Sequence, residues 1–151
     1  MDYDLIRSQL DKSVPFAKHT GIALEKIGKG RAAASLSFRP EGLNHIGTQH
    51  AGALFTAGEA ASGAAMAGAF APVLLEVRLV ASQASIRYLK AAKGSVRAEA
   101  LVSGEPEKLL QTLENEGKVI VTVQVHILDS TSGETLAEMN VEWHVRSTKR
   151  P

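Results

Sequence analysis

The sequence contains no cysteine among its 151 residues. That excludes thiol nucleophiles, disulfides and Cys-ligated metals, and it is compatible with a reducing cytoplasm. Strong charge of either sign is also missing. A formal net charge of +1 gives no electrostatic basis for nucleic acid as the main partner. The first residues, Met1-Asp2-Tyr3-Asp4, lack the basic start and apolar run of a secretory signal, so a cytoplasmic location is expected. No Gly-x-Ser-x-Gly elbow and no phosphate-loop motif occurs, and Gly28-Lys29-Gly30 reads as a turn. Internal repeats, low-complexity tracts and linker-like shifts in composition are absent too. The longest weakly charged stretch, Ala51 to Val73, has Glu59 as its single ionisable residue. It is built from Ala and Gly rather than Leu, Ile and Val, so it predicts a helix buried in a soluble protein and no membrane span.

What remains is an ordinary globular composition, 44% hydrophobic and 22% charged. The length suits one domain over 1–151, with one core. Leu5, Ile6 and Leu10 share one side of a short amphipathic helix that stops near Pro15, within an N-terminal helical segment over 1–20. Two short strands follow, Gly21–Ile27 and Arg31–Phe38, joined at the Gly28-Lys29-Gly30 turn, and a loop then leads to the Ala/Gly-rich helix. Beyond it apolar and polar residues alternate in four runs. These are Ala84/Ile86/Tyr88, Val96/Ala98/Ala100/Val102, Val119 to Ile127, and Ala137 to Val145. Period-two alternation predicts antiparallel strands with one buried face. Glu105–Gly117, with Leu109, Leu110 and Leu113 among charges, is a short helix or a long loop. Ser130–Gly133 is a hairpin loop. The predicted class is α+β: a long antiparallel sheet wrapped around one central helix, with the core over 21–147. Gly52, Gly58, Gly63 and Gly68 each cost about 1 kcal/mol inside a helix, a cost that close approach of the sheet would justify.

The chemistry-bearing residues cluster at Asn44-His45-Ile46-Gly47-Thr48-Gln49-His50-Ala51-Gly52 and, further on, at Glu59. A carboxylate inside an apolar helix must be ion-paired, neutralised or set at a functional cavity. Arg78 and Arg87 are the cations that could pair with Glu59. Ala51 and Gly52 lie in the first helical turn, where free N–H groups and the positive end of the dipole could hold a developing oxyanion. Asn44 could orient water or a carbonyl, or simply form the turn. His45 and His50 are loop or capping histidines; with Glu59 they match no zinc spacing, and no metal or cofactor is expected. His126 and His144 fall on polar strand phases and read as surface residues.

Asn44, Gly47, Thr48, His50, Gly52 and Glu59 resemble the N-x-x-G-T-x-H-G-G-x(6)-D pattern of hotdog-fold acyl-CoA thioesterases. The likeness is to the phenylacetyl-CoA-type group, and especially to a branch related to the C-terminal domain of YiiD. Ile86-Arg87-Tyr88-Leu89-Lys90 and Val141-Glu142-Trp143-His144-Val145 are similar to that family's middle and final strands. The resemblance implies a hotdog fold and hydrolysis of an acyl-CoA to free CoA and a carboxylic acid, with CoA as part of the substrate. It implies Glu59 as nucleophile or general base, the Ala51 N–H as the group polarising the carbonyl, and Asn44 as a holder of water or substrate. His50, Gly47 and Thr48 would line the substrate site. Glu59 is one methylene longer than the family's Asp, and Ala51 replaces the first Gly of its Gly-Gly pair. Ser82 is the candidate for the family's auxiliary Ser or Thr.

Two other functions share the fold. Hotdog dehydratases pair a His with a helical Glu at the spacing of His45 and Glu59, but carry prolines between them that are absent here. An acyl-CoA-binding protein without turnover is the other. Arg87, Lys90 and Lys93 could meet the CoA phosphates, or could guard a strand edge. At about 1.5 Å per residue, Glu59 lies roughly 13 Å along the helix from His50. A carboxylate there cannot attack a carbonyl held by the N–H groups of its own helix start, because reacting atoms must approach to about 3 Å. A shared site therefore requires two antiparallel chains. That arrangement, which the resembling family uses, predicts a homodimer or a homotetramer with interfacial sites.

Overall fold

A computed structural model describes residues 1–149. Two helices open the chain, α1 (Tyr3–Ser13), capped by the Asp2 side chain, and α2 (Pro15–Thr20). Strands β1 (Ile22–Gly28) and β2 (Arg31–Leu36) form a hairpin in which Gly28 pairs with Arg31 across Lys29-Gly30. The central helix α3 (Ala51–Ala69) follows a loop. It ends before Pro72, where a 3-10 segment, Ala71–Glu76, takes over, because proline removes a helical donor and crowds the preceding turn. Then come β3 (Val77–Tyr88), β4 (Val96–Val102), α4 (Pro106–Glu116), β5 (Lys118–Asp129) and β6 (Thr135–Ser147). The Glu105–Gly117 stretch is thus a helix, closed by Gly117 in the left-handed conformation.

All six strands form one antiparallel sheet in the order β1-β2-β4-β5-β6-β3. The alternation of the sequence is realised on its inner face. Val96, Ala98, Val123, Val125, Ile127, Met139, Val141 and Val145 are fully buried against α3, while Glu99, Gln124, His126 and Glu138 face outward. Close contact explains two helical glycines. A Cβ on Gly68 would collide with the Gly28 carbonyl, and one on Gly58 with Met139 Sδ. Gly52 differs: it is exposed, and the sheet does not approach it.

The two edges of the sheet are treated differently. At β1, α1 supplies side chains to the free backbone groups: the Arg7 guanidinium donates to the Leu24 carbonyl at 3.3 Å, and the Leu24 N–H donates to Asp11 Oδ1 at 2.7 Å. At β3, 12 residues long, no strand pairs with the outer edge among the described residues. That edge carries exposed apolar side chains, Val80 at 52% and Leu75, just before the strand, at 98% exposure. The strand also begins earlier than its Ala84–Tyr88 alternation suggests. A bulge between Ala81 and Gln83 shifts the register, and an edge strand with no fully buried residue shows no apolar phase to read. Among the described residues, no helix is long and apolar enough to cross a membrane.

Candidate active site

The loop before α3 is built by Asn44. Its Oδ1 accepts from the N–H groups of Ile46 and Thr48, both at 3.1 Å, and its Nδ2 donates to Thr48 Oγ1 at 2.7 Å and to the Gln49 carbonyl at 3.4 Å. Gly47 takes a positive φ of 77° at the loop tip, a conformation that glycine adopts without strain. The Asn44 amide is thus spent on the loop that delivers the chain to the helix, and Gly47 and Thr48 belong to that same turn. Gln49, which the motif leaves unspecified, locks the loop to the body. It is 2% exposed, its side-chain amide donates to the carbonyls of Ser37 and Gly94, and its N–H donates to the Ala92 carbonyl at 2.9 Å.

His50 is the N-cap of α3, and its Nδ1 accepts the Gly52 N–H at 2.8 Å. This corrects the expectation for Gly52, whose donor is occupied by the cap and is not free to polarise a carbonyl. The next donors, Ala53 and Leu54, turn back to the His50 carbonyl. The Ala51 N–H has no acceptor among the described residues, and Ala51 is exposed. The helix start therefore presents one unpaired donor at the positive end of its dipole. It is pinned by a residue the motif does not contain: Tyr88, at the end of β3, donates its hydroxyl to the Ala51 carbonyl at 2.9 Å. Partial burial raises the Tyr88 pKa, which keeps that hydroxyl a donor.

Glu59 lies further along α3, half-buried, and lines an apolar cavity of about 260 Å³ whose walls include Leu10, Leu24, Leu79 and Trp143. No cation pairs with it among the described residues, so the ion pair with Arg78 or Arg87 does not form; both arginines are exposed on β3. Burial alone raises its pKa above the ordinary carboxylate value of 4.5. Behind it, buried Ser62 donates to the Glu59 carbonyl at 2.7 Å and accepts the Trp143 indole N–H at 3.1 Å, which fixes the tryptophan as a cavity wall. Nothing in the sequence marks the Ser62–Trp143 bond. The lone tryptophan on an apolar strand phase was the one available signal.

The remaining predicted residues lie elsewhere. Ser82 is the bulged residue of β3 and hydrogen-bonds Glu142 Oε1 at 2.9 Å. Glu142 alternates with the buried Val141 and Trp143, so this contact is on the face of the sheet away from α3, and Ser82 does not meet Glu59 within the chain. Lys90 is paired with Glu134, whereas Lys93 is exposed and has no ion pair among the described residues. Both flank Ala92, whose carbonyl holds Gln49, so this basic segment lies beside the start of α3. His45 is exposed and its side chain forms no hydrogen bond among the described residues. His126 is exposed, and His144 sits 3.4 Å from Glu142.

Residues 4–145 match the family model described as a domain of unknown function, DUF4442. The chain belongs to that family. No curated protein matches it significantly. This DUF4442 chain is similar to several solved structures. A Pseudomonas aeruginosa protein of unknown function, described as a probable thioesterase, is 25% identical with a TM-score of 0.82, and the match covers 97% of each chain. A thioesterase family protein from Silicibacter pomeroyi is 17% identical with a TM-score of 0.77, covering 96% of this chain and 98% of that one. A variant of the phenylacetic acid degradation protein PaaI from Thermus thermophilus is 18% identical with a TM-score of 0.68, covering 87% and 98%. The DUF4442 chain thus has the hotdog fold of thioesterase-family proteins, an antiparallel sheet around a long helix.

Proposed function

We propose that the protein hydrolyses acyl-CoA thioesters at sites shared between two antiparallel copies of the chain. The observation that carries this reading is a separated pair on one helix: the Ala51 N–H and the Glu59 carboxylate, neither with a partner among the described residues, Glu59 lining an apolar cavity. Along α3 they stand about 12 Å apart, too far to serve one carbonyl. A second chain running the opposite way brings each to the other's partner. The open edge of β3, with Val80 and Leu75 exposed beside it, is suited to such pairing.

In the composite site the Ala51 N–H of one protomer donates to the thioester carbonyl oxygen and stabilises its developing negative charge. Glu59 of its partner, as its carboxylate, either attacks the carbonyl carbon directly or takes a proton from the attacking water. The C–S bond breaks, the CoA sulfur leaves and is protonated to the thiol, and water supplies the oxygen of the carboxylic acid. Asn44 acts here through the loop it shapes. Lys93, with Arg87 and Lys90, offers positive charge to the CoA phosphates. The reaction needs no metal or cofactor beyond the CoA of its substrate, and a cytoplasmic setting suits a cysteine-free chain.

The test is a panel of acyl-CoAs monitored for free thiol, with enoyl-CoA hydration followed in parallel. Thiol release is the expected result. Hydration without thiol release would favour the pairing of His45 with Glu59, and saturable binding without turnover would leave a binding protein.

A further inference from the structure

The cavity at Glu59 runs beside α3. It is floored by Ala60, Gly63, Ala64 and Ala67, small residues on one helical face between the half-buried Glu59 and the buried Ala67. We infer that this cavity is an acyl-chain pocket for straight saturated chains of about eight to ten carbons, reaching from Glu59 to Ala67, an inference that rests on the thioesterase reading above. The helix sets the length. From Glu59 to Ala67 the helix advances about 12 Å, and an extended alkyl chain, at about 1.3 Å per carbon, covers that distance in about nine.

The lining suits an alkyl chain. Beside the small floor stand Leu10 and Val14 from the N-terminal helical segment, Leu79 from β3 and Trp143 from β6. Its two ionisable residues are Glu59 and Asp11, and Asp11 already accepts the Leu24 N–H. No side-chain donor among these residues is left to reward a polar tail. A phenylacetyl group is shorter than the pocket and leaves its far end unfilled. Chain-length selection then follows from α3 and from a helix outside the sheet-and-helix core.

The test measures kcat/KM for saturated acyl-CoAs of increasing length, with phenylacetyl-CoA alongside. Each added methylene buried in the pocket raises kcat/KM about fourfold until the chain reaches about nine carbons, after which the gain stops. Ala64→Val and Ala67→Val narrow the pocket at two depths. Both lower the decanoyl-to-butanoyl ratio, and Ala64→Val, nearer Glu59, moves the cutoff to the shorter chain. General destabilisation would not produce a cutoff that depends on position. If thioesters are hydrolysed but the length profile is flat, or phenylacetyl-CoA exceeds decanoyl-CoA, or the cutoff is unmoved in folded variants, the pocket assignment is overturned and the hydrolase reading survives. If no thioester is hydrolysed, or the variants fail to fold, calorimetric binding of S-alkyl-CoA thioethers to the wild-type protein decides. Affinity rising about fourfold per carbon up to about nine upholds the pocket, and affinity independent of length rejects it.

Discussion

Replacing Ala51 by proline deletes one donor and little else. Ala51 is the first residue of α3, the helical position that proline tolerates best, because its N–H has no intrahelical acceptor. His50, which precedes it, has φ −64° and ψ 138°, the extended conformation that a following proline requires. The N-cap bond from the Gly52 N–H to His50 Nδ1 is one residue further on, and the Tyr88 hydroxyl engages the Ala51 carbonyl, which proline retains. The melting temperature should therefore stay within about 2 °C of wild type, since no intramolecular hydrogen bond is lost. Turnover should not survive. Loss of one oxyanion donor costs about a hundredfold to a thousandfold in kcat, and because that bond strengthens as charge develops, kcat falls while KM changes little. The assay is thiol release by Ala51→Pro on the best acyl-CoA of the panel, with a thermal melt on the same sample. Wild-type kcat in a folded Ala51→Pro protein would remove the helix start from the reaction.

Glu59→Gln lowers kcat at least about a hundredfold. Because burial holds the Glu59 pKa above the ordinary carboxylate value, the folded protein binds its proton more tightly than the unfolded chain does. Ionisation therefore weakens folding as pH rises from the ordinary carboxylate range through the folded value. Glu59→Gln removes that loss, so its melting temperature at neutral pH should be no lower than that of the wild type; a lower melting temperature with activity retained would make Glu59 structural. In the wild type, kcat/KM rises with pH through the same raised pKa, and a profile with its acid limb at or below the unshifted carboxylate range would exclude Glu59 as the reactive base. Ser62→Ala strands the buried Trp143 indole N–H and costs about 1–2 kcal/mol, or about 3–6 °C, measured by thermal melting. Lys93→Glu raises KM for a full-length CoA substrate more than it lowers kcat, and added salt does the same to the wild type. Lys90→Glu has the smaller effect, because Glu134 already holds Lys90; KM measured for both variants checks the order.

Much of the sheet was legible because alternation and burial coincide. Val96 to Val102, Val119 to Ile127 and Ala137 to Val145 face inward as their spacing requires. The first half of β3 was not, since an exposed edge strand with a bulge at Ser82 has no apolar phase. At the site, the separation of Ala51 and Glu59 follows from helical rise alone, whereas the sequence left Glu59 open between an ion pair, a neutral acid and a cavity position, and only the fold shows that no cation reaches it among the described residues. The occupied Gly52 donor was not legible, because His50 could cap the helix or turn elsewhere, and only the fold selects. Asn44 carried two readings, and its four hydrogen bonds within the loop fit the turn-forming one. Trp143 against Ser62, Tyr88 on Ala51, and Leu10 in the cavity wall join residues far apart in the chain, through contacts that no local pattern encodes.

Mixing two inactive variants tests the account most directly. Ala51→Pro lacks the donor and Glu59→Gln lacks the carboxylate, and in a composite dimer each chain supplies what the other has lost. After subunit exchange, half the dimers are mixed, and each mixed dimer regains one intact site of its two, so activity should return to about a quarter of wild type. No recovery, with exchange demonstrated by differently tagged chains, would show that Ala51 and Glu59 do not act across the interface.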